Sequence, residues 1–195
     1  VTDTSNVYAG GFYGMDNRVT TINCYSLGDV NGNATSNNKV HIGGLTGQAG
    51  GIHINCYAVG NVISEKTTTD VGILNGRAAG ISIEVNCYYN SEADLKQGNT
   101  TVSPTVANGV KTTGALSENV LGKTAAELKS SAFAAELNDN EATENKAAAM
   151  EIVKAGLAAQ NSRDFSQQNY YQGNDLNTWK VLLSGVVGFN EITSS

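Results

Sequence analysis

Asn-Cys-Tyr occurs three times in the first half of the chain, at Asn23-Cys24-Tyr25, Asn55-Cys56-Tyr57 and Asn86-Cys87-Tyr88, with cysteine spacings of 32 and 31 residues. A glycine cluster precedes each copy: Gly10-Gly11-Phe12-Tyr13-Gly14, Gly43-Gly44-Leu45-Thr46-Gly47 and Gly72-Ile73-Leu74-Asn75-Gly76, whose final glycines lie 33 and 29 residues apart. Two motifs in fixed order at one shared period mean that a single supersecondary unit is built repeatedly. A unit of about 30 residues cannot bury its apolar face alone, so each copy stacks on the last.

The unit reads as strand. Ile52, Ile54, Cys56 and Ala58 alternate with His53, Asn55 and Tyr57, and Ile81, Ile83, Val85 and Cys87 alternate with Ser82, Glu84 and Asn86. A period of two rich in β-branched residues is a strand signal. Asp29-Val30-Asn31-Gly32-Asn33 and Gly60-Asn61 read as turns. The expected fold is mainly β: a short right-handed parallel β-helix of about three rungs over residues 1–92, with neighbouring strands about 4.8 Å apart. On this alternation the three cysteines point inward with the isoleucines. The asparagines, the tyrosines and His53 point outward.

The pattern dissolves after Asn90, and residues 93–195 are expected to form a mixed α/β cap on the C-terminal end. Thr124-Ala125-Ala126-Glu127 is a capping box, predicting a helix over 125–137. A second helix is expected over 143–159, with Met150, Val153 and Leu157 on one face. Phe165, Tyr170, Tyr171 and Trp179 make the end aromatic, and 181–183 and 186–187 read as strands. The start at Val1 suggests further rungs or another domain upstream in a parent protein.

Hydrophobic residues make up 40% of the chain and charged residues 15%, the balance being taken by 23 Asn, 22 Gly, 18 Thr and 15 Ser. The formal charge is −6, and the 12 Lys and Arg are scattered. Nucleic acid is therefore not an expected partner, since phosphate neutralisation needs a basic stripe. No run approaches the roughly 18 apolar residues of a membrane span, so membrane insertion is not expected either.

Gly44-Leu45-Thr46-Gly47, Gly11-Phe12-Tyr13-Gly14 and Ile73-Leu74-Asn75-Gly76, with the Ile-Asn-Cys-Tyr run and the following Gly28-Asp29-Val30 or Gly60-Asn61-Val62, resemble the GLUG-motif repeat family. The tail from Lys123-Thr124 to Leu137-Asn138 is similar as well, and the likeness covers about two-thirds of the chain. The resemblance implies a large bacterial protein that is secreted or held at the cell surface, some members being adhesin-like and others IgA-cleaving metallopeptidases. It implies an address and a scaffold rather than a chemistry.

Stacked repeats convert each motif position into a vertical column. Cys24, Cys56 and Cys87 form a ladder of small buried thiols. Parallel in-register Cβ atoms stay too far apart for a disulfide, and no second ligand type shares the motif for a metal. Tyr25, Tyr57 and Tyr88 form a second column, beside Asn23, Asn55 and Asn86. It is either an aromatic platform for a sugar ring or a strip covered by the C-terminal helices. Asp29, Asn31 and Asn33 stand at positions 1, 3 and 5 of a calcium loop, but Ala34 and Val40 occupy positions that need Gly and Glu, so turn chemistry is the better account. His41 and His53 are the only histidines and no His-Glu-x-x-His exists, so the metallopeptidase chemistry is absent from this stretch. Asp70 and Arg77, with Glu65 and Glu84, are the nearest approach to a polysaccharide lyase or hydrolase site, at undistinguished spacing. No cofactor is implied. The expectation is a non-catalytic extracellular stalk or adhesin-like spacer, the alternative being a carbohydrate-binding module, with a host or cell-wall glycan or a surface protein as partner.

Overall fold

The computed structural model describes residues 6–32, 39–67, 69–80, 82–103, 107–159, 179–182 and 185–188. Ile81, Asn33, Ala34, Phe165, Tyr170, Tyr171 and Leu183 lie outside them. The first turn of chain carries β1 (Val7–Gly10), β2 (Tyr13–Met15), β3 (Thr20–Ile22), β4 (Tyr25–Ser26) and β5 (Val30–Gly32). The second repeats it as β6 (Val40–Gly43), β7 (Thr46–Ala49), β8 (Ile52–Ile54), β9 (Tyr57–Ala58) and β10 (Val62–Ser64). The third gives β11 (Thr69–Gly72), β12 (Asn75–Ala78), β13 (Ile83–Asn90) and β14 (Leu95–Gln97). Like strands pair in parallel: β1-β6-β11 form the first sheet, β2-β7-β12 the second, β3 and β4 with β8, β9 and β13 the third, and β5-β10-β14 the fourth. The chain is a β-solenoid of about three turns with a helical C-terminal part.

The glycine cluster has a steric cause. A Cβ on Gly47 would lie 2.4 Å from the Gly14 carbonyl oxygen and 2.6 Å from the Ala9 nitrogen, and one on Gly76 would lie 2.4 Å from the Ile42 nitrogen. The first and second sheets therefore meet backbone to backbone, a contact only glycine permits. The apolar residues between the glycines turn the other way. Leu45, Ile73 and Leu74 are wholly buried with Val40, Ile42, Cys56, Cys87 and Leu95 in the solenoid interior.

The repeat does not stop at residue 92. After β15 (Thr100–Thr101), which pairs antiparallel with β14, β16 (Asn108–Lys111) continues the second sheet and β17 (Leu116–Lys123) the third. This partial fourth turn was hidden because Glu118-Asn119-Val120 stands where Val85-Asn86-Cys87 stood, retaining only the asparagine.

The capping box forms: Thr124 N and Oγ1 both donate to Glu127 Oε2, at 2.7 and 2.8 Å. It opens a 3-10 turn, Glu127–Lys129, rather than the expected helix. Ser130 then supplies a second cap, its Oγ accepting from Phe133 N at 3.1 Å, and α1 runs Ser131–Asp139. Helix α2 spans Thr143–Ala159, as the apolar spacing predicts. A short hairpin, β18 (Lys180–Val181) and β19 (Val187–Gly188), completes the described chain.

Candidate functional site

The strand alternation holds, but not with one phase. Asn23, Asn55 and Asn86 have φ of 56°, 54° and 52°, the left-handed region that asparagine tolerates better than most residues. One such residue turns the strand and shifts the alternation by a position. Before the bend, Ile52, Ile54, Ile83 and Val85 face outward and are buried under Ala149, Val153 and Leu157 of α2. After it, Cys56, Ala58 and Cys87 face the interior. The expectation that the isoleucines and cysteines share one inward face is therefore corrected. So is the solvated His53, which is fully buried and hydrogen-bonded to Asp16.

The asparagine column is not an outward surface strip. Asn55 is fully buried: its Nδ2 donates to Asn23 Oδ1 at 2.7 Å and to the Leu137 carbonyl at 3.1 Å, and its Oδ1 accepts from Asn140 Nδ2 at 2.9 Å. Asn119, with φ of 54°, extends the column and donates to Asn86 Oδ1 at 2.7 Å. Asn23 and Asn86 are half-buried.

The tyrosine column stands outside the solenoid and is covered. Tyr25 stacks on Tyr57 at 5.3 Å between ring centroids, while Phe133 of α1 meets Tyr57 and Tyr88 edge-on at 5.2 Å each. Leu128, Ala134, Leu137, Trp179 and Val187 close over them, leaving Tyr57 and Tyr88 with no exposed surface. Both hydroxyls are used, Tyr57 donating to the Val187 carbonyl and Tyr88 accepting from Asn140 at 2.8 Å. Burial pushes both phenols well above their ordinary range. Only Tyr25 is half-exposed, so the column offers no platform for a row of sugar rings.

Cys24, Cys56 and Cys87 recur on successive turns, Cys56 and Cys87 fully buried and Cys24 half-buried. Cys24, Cys56 and Cys87 are unbridged, and each Sγ approaches the carbonyl two residues before it, at 3.3, 3.2 and 3.5 Å. Burial pushes the Cys56 thiol up. Among the described residues no group of three or more His, Cys, Asp or Glu is placed to hold a metal.

A polar cluster that the alternation gave no reason to expect lies where the third sheet faces the second. His53 Nε2 is 2.6 Å from Asp16 Oδ2, and both side chains have no exposure. Asp16 Oδ1 also accepts from Gly50 N. Burial pushes the His53 imidazole down, but the hydrogen bond and charge of Asp16 outweigh it and hold the group above its ordinary value. One turn up, directly beside His53 in the sheet, Glu84 is fully buried. It accepts from Asn75 Nδ2 and Ser82 Oγ at 2.9 and 3.1 Å, and from Asn108 Nδ2 and Ser117 Oγ at 2.9 and 2.6 Å. Four donors compensate for its desolvation. A usable signal existed for Asp16: the next two members of its column are Ala49 and Ala78, so an acid stands where the two following turns carry a small residue.

Cys87, His53 and Asp16 are the residue types of a thiol nucleophile, its base and an orienting acid. The cluster is sealed, and Cys87 Sγ approaches the backbone carbonyls of His53 and Val85, both at 3.5 Å. No substrate reaches these groups in this conformation. Of the lyase-like residues, only Asp70 and Arg77 act on a common group, the His41 imidazole, which burial lowers and whose value Asp70 raises and Arg77 lowers. Asp70 lies 2.8 Å from buried His41 on the first sheet, Arg77 is on the second, Glu84 is enclosed within the third, and exposed Glu65 follows β10. Asp29 Oδ1 accepts from Asn61 N at 2.8 Å, the role of a turn residue.

The chain matches no family model, no curated protein and no solved structure. Function therefore has to be argued from the solenoid itself. No helix among the described residues is long and apolar enough to cross a membrane.

Proposed function

We propose that the chain is a non-catalytic β-solenoid module, a stalk or spacer of a secreted or cell-surface bacterial protein. The observation that carries the reading is where the repeated polar residues go. The asparagines join neighbouring turns, the tyrosines bind the cap, and the buried His53–Asp16 pair ties the first turn to the second. Side chains that would otherwise recognise a ligand are used up in cohesion. The GLUG-like motifs support the address, and a chain rich in Asn, Thr, Ser and Gly with 15% charged residues suits it.

The test is a glycan array together with a polysaccharide-turnover screen on the folded chain. The spacer reading expects no saturable glycan binding at millimolar concentration and no product. Binding abolished by Tyr25→Ala would replace it with the carbohydrate-binding reading, and turnover lost in Arg77→Ala would replace it with an enzyme.

A further inference from the structure

The space between the second and third sheets is bridged turn by turn. On the third turn Asn75 reaches across from the second sheet, and its Nδ2 donates to Glu84 Oε1 at 2.9 Å. The same nitrogen donates along the stack to Asn108 Oδ1, also at 2.9 Å. Both of its hydrogens are thereby used, one across the gap and one toward the fourth turn. Glu84 demands a donor, which fixes this orientation of the amide. Asn75 Oδ1, at the opposite corner of the planar group, is left directed at the second turn.

There the residues change at both positions. Thr46 is the register partner of Asn75, and His53 is the register partner of Glu84. Thr46 and His53 therefore face each other as Asn75 and Glu84 do one turn later. Neither completes the bridge. Thr46 Oγ1, His53 Nδ1 and Asn75 Oδ1 are buried with no hydrogen-bond partner among the described residues, and all three residues have no exposed surface. His53 Nε2 is already engaged by Asp16. The threonine hydroxyl ends one bond short of an asparagine amide, so no atom of Thr46 stands where Nδ2 stands on the turn above. Folded proteins rarely leave such groups unpaired, because each has given up its hydration.

We propose that one water molecule is bound between Thr46, His53 and Asn75, in the place that an asparagine side-chain nitrogen takes on the next turn. The hydrogen bonds match one for one. The water donates along the stack to Asn75 Oδ1 and across the gap to His53 Nδ1, the two directions that Asn75 Nδ2 serves, and it accepts from the Thr46 hydroxyl. About three hydrogen bonds is the usual complement of a buried water.

The paired change of residues also has a reason. Glu84 only accepts, so a fixed amide donor suits it. His53 accepts at Nδ1 when neutral and donates there when charged. The titratable groups around its ring are Asp16, Cys87 and Glu84. A water turns to meet either state, accepting from the charged ring and giving the freed hydrogen to Thr46 Oγ1. An asparagine nitrogen has only hydrogens to offer.

A crystal structure of the chain that shows ordered water tests this directly. Difference density should place a peak about 3 Å from each of Thr46 Oγ1, His53 Nδ1 and Asn75 Oδ1. In solution, oxygen-17 relaxation dispersion counts long-lived internal waters. Thr46→Asn supplies the nitrogen itself and should lower that count by one, with circular dichroism checking that it folds. It should also lower the pH at which His53 titrates by NMR, since the amide hydrogen opposes a proton on Nδ1. Density with no peak among the three atoms overturns the proposal, as does a peak whose contacts are too short for hydrogen bonds, which marks a metal ion. An unchanged water count in folded Thr46→Asn, or a His53 that titrates higher there, overturns it as well. Should that variant fail to fold, the crystal structure of the unaltered chain decides alone.

Discussion

Asn55 is the residue on which most of the architecture converges, and replacing it separates two contributions that the structure superimposes. In Asn55→Ala the backbone must hold φ at 54° with a Cβ that gains nothing from it, costing about 1–2 kcal/mol. Three hydrogen bonds also go, to Asn23, to the Leu137 carbonyl and from Asn140, each worth about 1 kcal/mol net. The loss totals about 4–5 kcal/mol, a large share of the roughly 5–15 kcal/mol that holds a domain folded. Asn55→Gly loses the same hydrogen bonds without the Cβ clash. Because glycine also gains freedom in the unfolded chain, it should be better than alanine by only about 1 kcal/mol. Asn55→Asp keeps a residue tolerant of this φ but points an acceptor at two acceptors, so it should be as damaging as alanine at neutral pH and recover in acid, when the carboxyl regains a proton to donate.

The assay is urea unfolding followed by the fluorescence of Trp179, the sole tryptophan, buried against Tyr25 and Tyr57. Equal m-values across the variants are needed for the free energies to be compared. An alanine variant within 1 kcal/mol of wild type, or a glycine variant no better than alanine, would show that the left-handed corner is not what holds the turns in phase.

The remaining predictions concern the interior. Gly47→Ala places a Cβ against three backbone atoms within 2.8 Å and should prevent the first and second sheets from closing, read as loss of the cooperative melt; a melting point within a few degrees of wild type would refute the backbone contact. Cys56 and Cys87, fully buried, should resist a thiol reagent until global unfolding, while half-buried Cys24 reacts sooner; simultaneous labelling of all three would contradict the ladder's depth. For His53 the folded-state value is raised above the ordinary 6.5, so the stabilisation from Asp16 is complete below that pH and fades as pH climbs through the folded value. The stability gap between wild type and His53→Gln should therefore narrow from pH 6 to pH 9, and a gap that widens would reverse the assignment.

The period of the repeat was legible because stacking demands that like positions recur, and Asn-Cys-Tyr sits in a column that tolerates little change. The phase within the period was not legible. An alternating string of Ile, Ile, Cys and Ala fits one inward face, and it fits equally well two faces joined by a left-handed corner, each covered by a different partner. Only the long-range partner, α2 for the isoleucines and the solenoid interior for the cysteines, distinguishes them. Asparagine at the corner was the available clue, since it tolerates that φ where β-branched residues do not. The corner also explains why a histidine and a glutamate could be placed inside. With the phase reversed at residues 55 and 86, His53 and Glu84 turn toward the second sheet, where Asp16, Asn75 and Asn108 come from elsewhere in the turn or from neighbouring turns. Helix α2 could be delimited from its own residues because its apolar stripe is local. The covering of Tyr57 and Tyr88 was legible only as one reading of the column beside the sugar platform, because the residues that close over it, Asn140, Phe133, Trp179 and Val187, lie at least 45 residues away in sequence and are brought together only once the solenoid supplies a face for them to cover.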